Sequence, residues 1–342
     1  MLKIYDTNHN YVSSIETSKD LCITSTLEDG FNTLSFRLPL TDEYLAMVSE
    51  EYFVEMEDYS YIIKEINLHK NSFIDIYCNP NIDDLKYNLV SVYDAFDINI
   101  EQAIRKLLNQ SQCGWTLEYN SELKKDMVEY KESTSTVYEL LKLIKEDYDL
   151  EYWFDTKNKI LQVYDYLGEN RGMYFSNELR LKLLSKQGQS YDYITVIYPI
   201  GKDGLTIGTI NNGVNLLENY QYSNKYKPLY WIQEDIEFAE QLKMAAQAYL
   251  DYYSMPIVSY SLELSALPPE TQIGDNIILV DKIKRIKQKQ RVVKIERYPH
   301  NPERDKVEIS NQIVNFAEVF TRYNSDYRKQ IDYIKKNLAT LS

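Results

Sequence analysis

Two stretches more than two hundred residues apart carry the same series of short strands, and this repeat limits the chain more than any other feature. Ile62-Ile63-Lys64 is matched by Val292-Val293-Lys294, and Ile74-Asp75-Ile76 by Val307-Glu308-Ile309. Each pair follows another strand, Val54-Glu55-Met56-Glu57-Asp58 in one case and Ile277-Ile278-Leu279-Val280-Asp281 in the other. Any two β-hairpins look alike, but three strands in the same order point to duplicated β domains.

The first ninety residues continue this β reading. Leu2 to Tyr5 and Tyr11 to Ile15 flank a polar turn, and Leu21 to Leu27 and Phe31 to Leu38 flank Glu28-Asp29-Gly30, an Asp-Gly hairpin signal. The period then changes from two to 3.6. Ile100, Ala103, Ile104, Leu107 and Leu108 share one helical face, and Thr136-Val137-Tyr138-Glu139 opens a second helix with a capping box. A hairpin from Leu150 to Tyr164, turning at Asp155-Thr156-Lys157-Asn158, completes a small α/β unit. Strand character returns at Glu178 to Leu184 and Tyr191 to Tyr198, and a long helix from about Gln233 to Tyr253 stops at Pro256.

The fold expected is therefore α+β and multidomain, with two similar β-barrel-like domains, an inserted small α/β domain and a long helix. The expected boundaries are 1–91 together with 178–215 for a discontinuous first β domain, and 92–177 for the α/β insert. A helical connecting domain follows at 216–256, a second β domain at 257–314 and a carboxy-terminal helix at 315–342. Residues near Tyr191 to Ile210 are expected to pair with strands of the first ninety, because the two β stretches are too short to fold alone. In the last segment Phe320, Tyr323, Tyr327, Ile331, Ile334, Leu338 and Leu341 approach a heptad seam. It reads either as an intersubunit helix or as an amphipathic helix on its own domain.

Composition excludes several classes. There is no run of eighteen apolar residues and no basic start followed by an apolar block, so no membrane insertion or general secretion is expected. Cys22, Cys78 and Cys113 lack any C-x-x-C pairing and read as buried thiols. With 38 Lys and Arg against 52 Asp and Glu, the formal charge of -14 opposes affinity for phosphates. Tyrosine is abundant, 32 residues against 10 Phe and 3 Trp. Amphipathic rings suit half-buried sheet faces and subunit contacts; an AT-rich codon bias would produce the same excess.

Catalytic patterns are missing. The three histidines, His9, His69 and His300, form no metal-ligand pair, and no serine sits in a G-x-S-x-G elbow. Gly201-Lys202-Asp203-Gly204 lacks the glycine spacing and the Ser/Thr of a P-loop. Asp147, Asp149 and Glu151, beside Tyr148, Tyr152, Trp153 and Phe154, are the densest acidic cluster next to aromatics, so a carboxylate-pair hydrolase stays open as an alternative. No cofactor or metal is expected.

Tyr198-Pro199-Ile200-Gly201-Lys202-Asp203-Gly204-Leu205-Thr206-Ile207, followed by Asn211-Asn212-Gly213, resembles the prophage tail family often labelled endopeptidase tail. These are the amino-terminal hub regions of tail-associated lysins, similar in architecture to the central hub of contractile-tailed phages. The resemblance spans nearly the whole chain and marks Gly201, Lys202, Asp203, Gly204 and Leu205 as the family motif. It implies a structural, non-enzymatic hub subunit of a tail-tip baseplate, acting as a homotrimeric ring that closes the tail tube and carries a spike or fibre. Implied partners are a distal tail protein, a tape-measure protein and receptor-binding or fibre proteins, with DNA only as passing cargo along an acidic pore. The implied place is the virion tail tip, with assembly in the host cytoplasm. A tail-associated cell-wall hydrolase and a carbohydrate-binding receptor module are the alternatives.

Overall fold

The structure is a computed structural model and describes residues 1–310 except 17, 42, 69–72, 122–127, 149, 177–180, 190–192, 235, 256, 265–266 and 282–285. The chain divides into two units, one formed by Met1–Ser185 with Ser261–Ile309 and the other containing Lys186–Tyr260.

The first unit opens with seven strands: β1 (Leu2–Tyr5), β2 (Tyr11–Ile15), β3 (Lys19–Thr26), β4 (Phe31–Pro39), β5 (Phe53–Met56), β6 (Tyr59–Leu68) and β7 (Phe73–Pro80). Alternation in these strands buries one face, with Leu34, Phe36 and Leu38 of β4, Val54 and Met56 of β5 and Ile74, Ile76 and Cys78 of β7 in one core. The Asp-Gly turn between β3 and β4 forms as its residues predict. Gly30 has φ +73°, and a Cβ there would lie 2.1 Å from the carbonyl oxygen of Tyr152. Only glycine fits.

The α/β block follows, with α1 (Asp83–Lys86), β8 (Leu89–Ile98), α2 (Ile100–Ser111), β9 (Thr116–Tyr119), β10 (Val128–Thr136), α3 (Val137–Asp147), β11 (Glu151–Asp155) and β12 (Ile160–Tyr164). The two longer helices of the block, α2 and α3, start with capping boxes, Asn99 with Gln102 and Thr136 with Glu139. The apolar faces of α2 and α3 enter one core with Tyr93, Trp115, Phe154, Leu161 and Val163. Each of these fully buried Ile and Leu side chains contributes about 1.5–3 kcal/mol. The block grips the hairpin tips of the first sheet: Phe154 N donates to Gly30 O at 2.8 Å, and Ser60 N to Thr156 Oγ1 at 3.0 Å.

The remaining strands are β13 (Met173–Ser176), β14 (Leu181–Gln189), β15 (Val196–Ile200), β16 (Leu217–Glu218) and β17 (Pro228–Ile232). After α4 (Ala239–Tyr253) come β18 (Ile257–Leu264), β19 (Asn276–Asp281), β20 (Ile286–Arg297) and β21 (Lys306–Ser310). The duplication reaches further than the three matched strands. Neighbours run β3-β4-β7-β6-β5 in the first set and β14-β18-β21-β20-β19 in the second, and in each set the strands follow the same order along the chain. One edge differs, because β1 pairs antiparallel with β5 whereas β13 pairs parallel with β19.

Backbone hydrogen bonds set the register of the repeat. Glu51 N donates to Ile63 O at 2.8 Å and Ile63 N to Tyr52 O at 2.9 Å, while Gly274 N donates to Val292 O at 2.8 Å and Val292 N to Asp275 O at 2.9 Å. Glu51 and Gly274 both hold positive φ, 67° and 85°. Ile63 therefore corresponds to Val292, which corrects the match of Ile62 with Val292 by one residue. Val54 and Met56 correspond to Ile277 and Leu279, all buried.

Two further expectations are corrected. The two β sets do not form separate closed barrels: β20 pairs with β3, and among the described residues the strands make one open thirteen-stranded sheet. Val196–Ile200 does not pair with the first ninety residues either. β15 lies between β16, antiparallel, and β17, parallel, in a sheet of its own. Ile197, Ile207, Leu217 and Trp231 pack there with Leu242, Ala246 and Leu250 of α4, so the second unit supplies its own core. The stretch 178–215 is thus split, since β14 joins the later β set through β18.

Candidate functional site

Gly201, Lys202, Asp203, Gly204 and Leu205, expected from the resemblance to form a motif, build a turn in the second unit. Gly201 N donates to Leu205 O at 2.8 Å, and Lys202 N to Ile236 O at 3.0 Å. A Cβ on Gly201 would stand 2.7 Å from Ile236 O, so the close approach of two backbones selects glycine. Asp203 and Gly204 both take left-handed conformations, φ 54° and 79°. Lys202 pairs with Glu237, which raises the lysine and lowers the glutamate from their usual ranges. The turn delivers Leu205 and Ile207 to the core under α4. Asn211 then ties the loop, its Nδ2 donating to Val214 O at 2.9 Å, and Gly213 N donates to Gly208 O at 2.8 Å. These five residues shape a loop and do not assemble reactive groups.

Beside them, the outward face of β15 and β17 carries aromatic rings. Tyr198 and Tyr230 stack with centroids 4.9 Å apart, and the Tyr198 and Tyr226 hydroxyls lie 2.8 Å from each other. Tyr226 and Tyr230 are more than half exposed. The tyrosine count alone could not locate this platform, since strand parity places Tyr198 and Tyr230 on one face only once β15 and β17 are in register.

In the first unit a cleft of about 310 Å³ opens where β20 meets β3. Charges line it in alternation: Arg304 pairs with Asp20, Arg37 Nη1 lies 3.1 Å from Asp20 Oδ2, and Arg37 Nε lies 2.5 Å from Asp75 Oδ1. The hydrogen bond from Arg304, reinforced by both guanidinium charges, holds Asp20 below the usual carboxylate range. Burial pushes the Cys22 thiol up, and burial also pushes Tyr298 up to about 12. The shifts of Asp20, Cys22 and Tyr298 all lead away from neutrality, where proton transfer would need them.

The acidic cluster read beside aromatics is dispersed. Asp147 accepts from Tyr130 Oη at 2.9 Å, and Glu151 is held in two prongs by Arg291 at 2.5 and 2.6 Å. Asp149 and His69 lie outside the described residues. His9 stacks on Phe53 at 4.0 Å, and burial raises the Cys78 thiol well above its ordinary value. Among the described residues no three His, Cys, Asp or Glu side chains come together as a metal site, and no helix is long and apolar enough to cross a membrane. The proposed intersubunit helix, with Phe320, Tyr323, Tyr327, Ile331, Ile334, Leu338 and Leu341, lies outside the described residues as well.

These features define an α+β protein organised around a duplicated sheet, in which Glu151 with Arg291 and Asp20 with Arg37 and Arg304 are paired. The chain belongs to the prophage endopeptidase tail family, whose model matches residues 169–319, and the model of that family's N-terminal domain matches residues 2–79. The two matches cover the two β sets and leave the α/β block between them. The chain is 22% identical over 242 residues to the SPbeta prophage-derived uncharacterized protein YomG of Bacillus subtilis, a match spanning 65% of this chain and 27% of that protein. Its fold is similar to prophage tail protein gp18 from Listeria monocytogenes EGD-e, with TM-score 0.69 and 13% identity over 96% of this chain and 99% of that one. It is also similar to the 43 kDa tail protein of prophage MuSo2 from Shewanella oneidensis, with TM-score 0.63 and 13% identity over 90% and 97% of the two chains.

Proposed function

We propose that this tail protein is the hub subunit of a phage tail tip, a non-enzymatic ring component that closes the tail tube and carries the distal spike or fibre. The carrying observation is the repeated strand order, β3-β4-β7-β6-β5 and β14-β18-β21-β20-β19. A threefold ring docked on a sixfold tube faces a symmetry mismatch, and two similar β sets per chain present six quasi-equivalent units. Three chains, a distal tail protein and a tape-measure protein on one side, and a fibre or spike on the other, are the partners of this reading. The 315–342 segment is proposed to face such a partner or its own symmetry mates. DNA passes through without adhering, consistent with the formal charge of -14.

Immunogold labelling of virions tests this directly. Label at the tail tip, together with a three-chain mass in solution, is expected. Label along the tail shaft or on the capsid would remove the hub reading. The purified chain is expected to leave peptidoglycan intact in a zymogram, because Glu151 is neutralised by Arg291.

A second reading is favoured by one observation, the stacked rings of Tyr198, which is half-buried, and Tyr230, which is exposed. Flat aromatic platforms suit the apolar faces of sugars. Binding on a glycan array that is lost in Tyr230→Ala would establish a carbohydrate-recognition role; an array without signal dismisses it.

A further inference from the structure

Strand register sorts the small sheet of the second unit into two faces. Ile197, Leu217, Leu229 and Trp231 turn toward α4 and its core. Side chains alternate along a strand, so Glu218 of β16, Tyr198 of β15 and Tyr230 of β17 share the opposite, outward face. Two further rings border it. The Tyr226 hydroxyl lies 2.8 Å from that of Tyr198, and Tyr220 Oη donates to Glu218 Oε1 at 3.2 Å. The hydrogen bond with Tyr226 and, further away, the Glu218 charge raise the Tyr198 phenol, while desolvation and then the same carboxylate raise Tyr220. Both phenols stay neutral, and Glu218 supplies the negative charge. It is exposed, and among the described residues no lysine or arginine pairs with it. Lys202, just after β15, is taken by Glu237, and Lys227, just before β17, lies 4.0 Å over the Tyr193 ring.

We infer that this face binds an amino sugar, whose apolar ring face lies on the tyrosines and whose protonated amine is held by Glu218 and the aromatic rings. The inference deepens the carbohydrate reading and rests on it. A neutral sugar would use the rings alone. A cation is drawn in addition by the negative faces of the rings and by a carboxylate that has no counter-charge of its own. A sugar bearing phosphate or carboxylate meets the opposite field and is disfavoured. Tyr198 is fixed from two sides, by stacking on Tyr230 and by its bond to Tyr226, so the platform is formed before the ligand arrives and loses little side-chain freedom on binding. The face is open to water, so the ionic part of the attraction is modest and screened by salt.

The full-length chain is titrated calorimetrically with a chitosan trisaccharide, its fully N-acetylated counterpart and trilysine, in low salt and at a slightly acidic pH that keeps the amines protonated. The chitosan trisaccharide is expected to bind about fivefold more tightly than the acetylated one, the factor that a cation over exposed rings supplies. Glu218→Gln should erase that difference, and Tyr230→Ala should lose both sugars; both side chains are exposed, so neither change disturbs the core. If the two trisaccharides bind equally and Glu218→Gln alters nothing, the carbohydrate reading survives and the amine inference is wrong. If trilysine binds as tightly as the chitosan trisaccharide, the face reads charge alone and an amino sugar is not its ligand. If neither sugar binds, both readings are wrong.

Discussion

The Glu151 carboxylate and the Arg291 guanidinium form a two-pronged ion pair, 2.5 and 2.6 Å, between residues 140 apart in the chain. Glu151 opens β11 of the α/β block, and Arg291 lies in β20 of the later β set. Their remaining valences are used nearby. Glu151 Oε2 accepts from Leu167 N at 2.6 Å, and Arg291 Nε donates to Gly274 O at 2.9 Å. The guanidinium also lies 3.5 Å from the centroid of Tyr166. A second clamp runs alongside, with Arg171 Nε 3.1 Å from the fully buried Asp275, which also accepts from Glu169 N and Gln272 N. Together these bonds fasten the segment after β12 to the turn before β19.

Breaking that pair from one side should be costly. In Arg291→Leu the buried Glu151 charge loses its partner, and the expected loss is about 3–5 kcal/mol. Glu151→Leu with Arg291→Leu should recover much of it, because no charge is left stranded. Urea unfolding of the single and double variants measures both; equal losses would mean that packing, not charge, holds the joint.

The Asp20 triad at the β20·β3 junction makes stability depend on pH. Asp20 is held below its unfolded value near 3.9, so its contribution is complete above that pH and disappears as pH falls through the lower folded value. The triad is partly exposed and is worth at most about 1 kcal/mol. Melting temperatures of the unmodified chain and Asp20→Asn should differ above about pH 5 and converge as pH falls through the lowered folded value. A constant difference across this range would assign the effect to something other than ionisation.

The loop motif separates two roles of glycine. Gly201→Ala forces a Cβ to 2.7 Å from Ile236 O, against backbone that cannot swing away, whereas Gly213, at φ +83°, has nothing within 4 Å. Gly213→Ala is expected to lose only about 1–2 kcal/mol of left-handed strain, and Gly201→Ala more. Thermal unfolding of the two variants gives the order, and the reverse order would contradict the contact.

Thr136 caps α3 through its hydroxyl, which accepts from Glu139 N at 3.2 Å. Thr136→Ala should cost about 1 kcal/mol while leaving the solution mass unchanged. A change in assembly state would show that the α/β block takes part in subunit contacts.

Elements that depend on local chemistry were legible. The capping box at Thr136, the helical stripe from Ile100 to Leu108 and the left-handed turn at Gly30 are each specified by residues within one or two turns of chain. The repeat was legible too, but its register was not. Letter matching aligned Ile62 with Val292, whereas β6 is bulged between Ile63 and Glu65 and the backbone bonds of Glu51 and Gly274 decide the true correspondence. For the site, the motif from Gly201 to Leu205 was visible as a turn, while the Tyr198 and Tyr230 platform required the pairing of β15 with β17.

By itself the sequence determined the helices α2 and α3, the strands of the first ninety residues, the Asp-Gly turn and that a β series occurs twice, because backbone preference and side-chain period act between near neighbours; it left β8, β10 and β17 unread and began α4 six residues early. Only the tertiary structure decided that β15 turns to β17 instead of the first ninety residues, that the two β sets join through β20 and β3, and that Glu151 belongs to Arg291. Strand edges offer the same donors and acceptors whatever their side chains, and a buried charge takes whichever partner the fold brings near. Both choices are therefore made by the packing of distant segments, which no local pattern encodes.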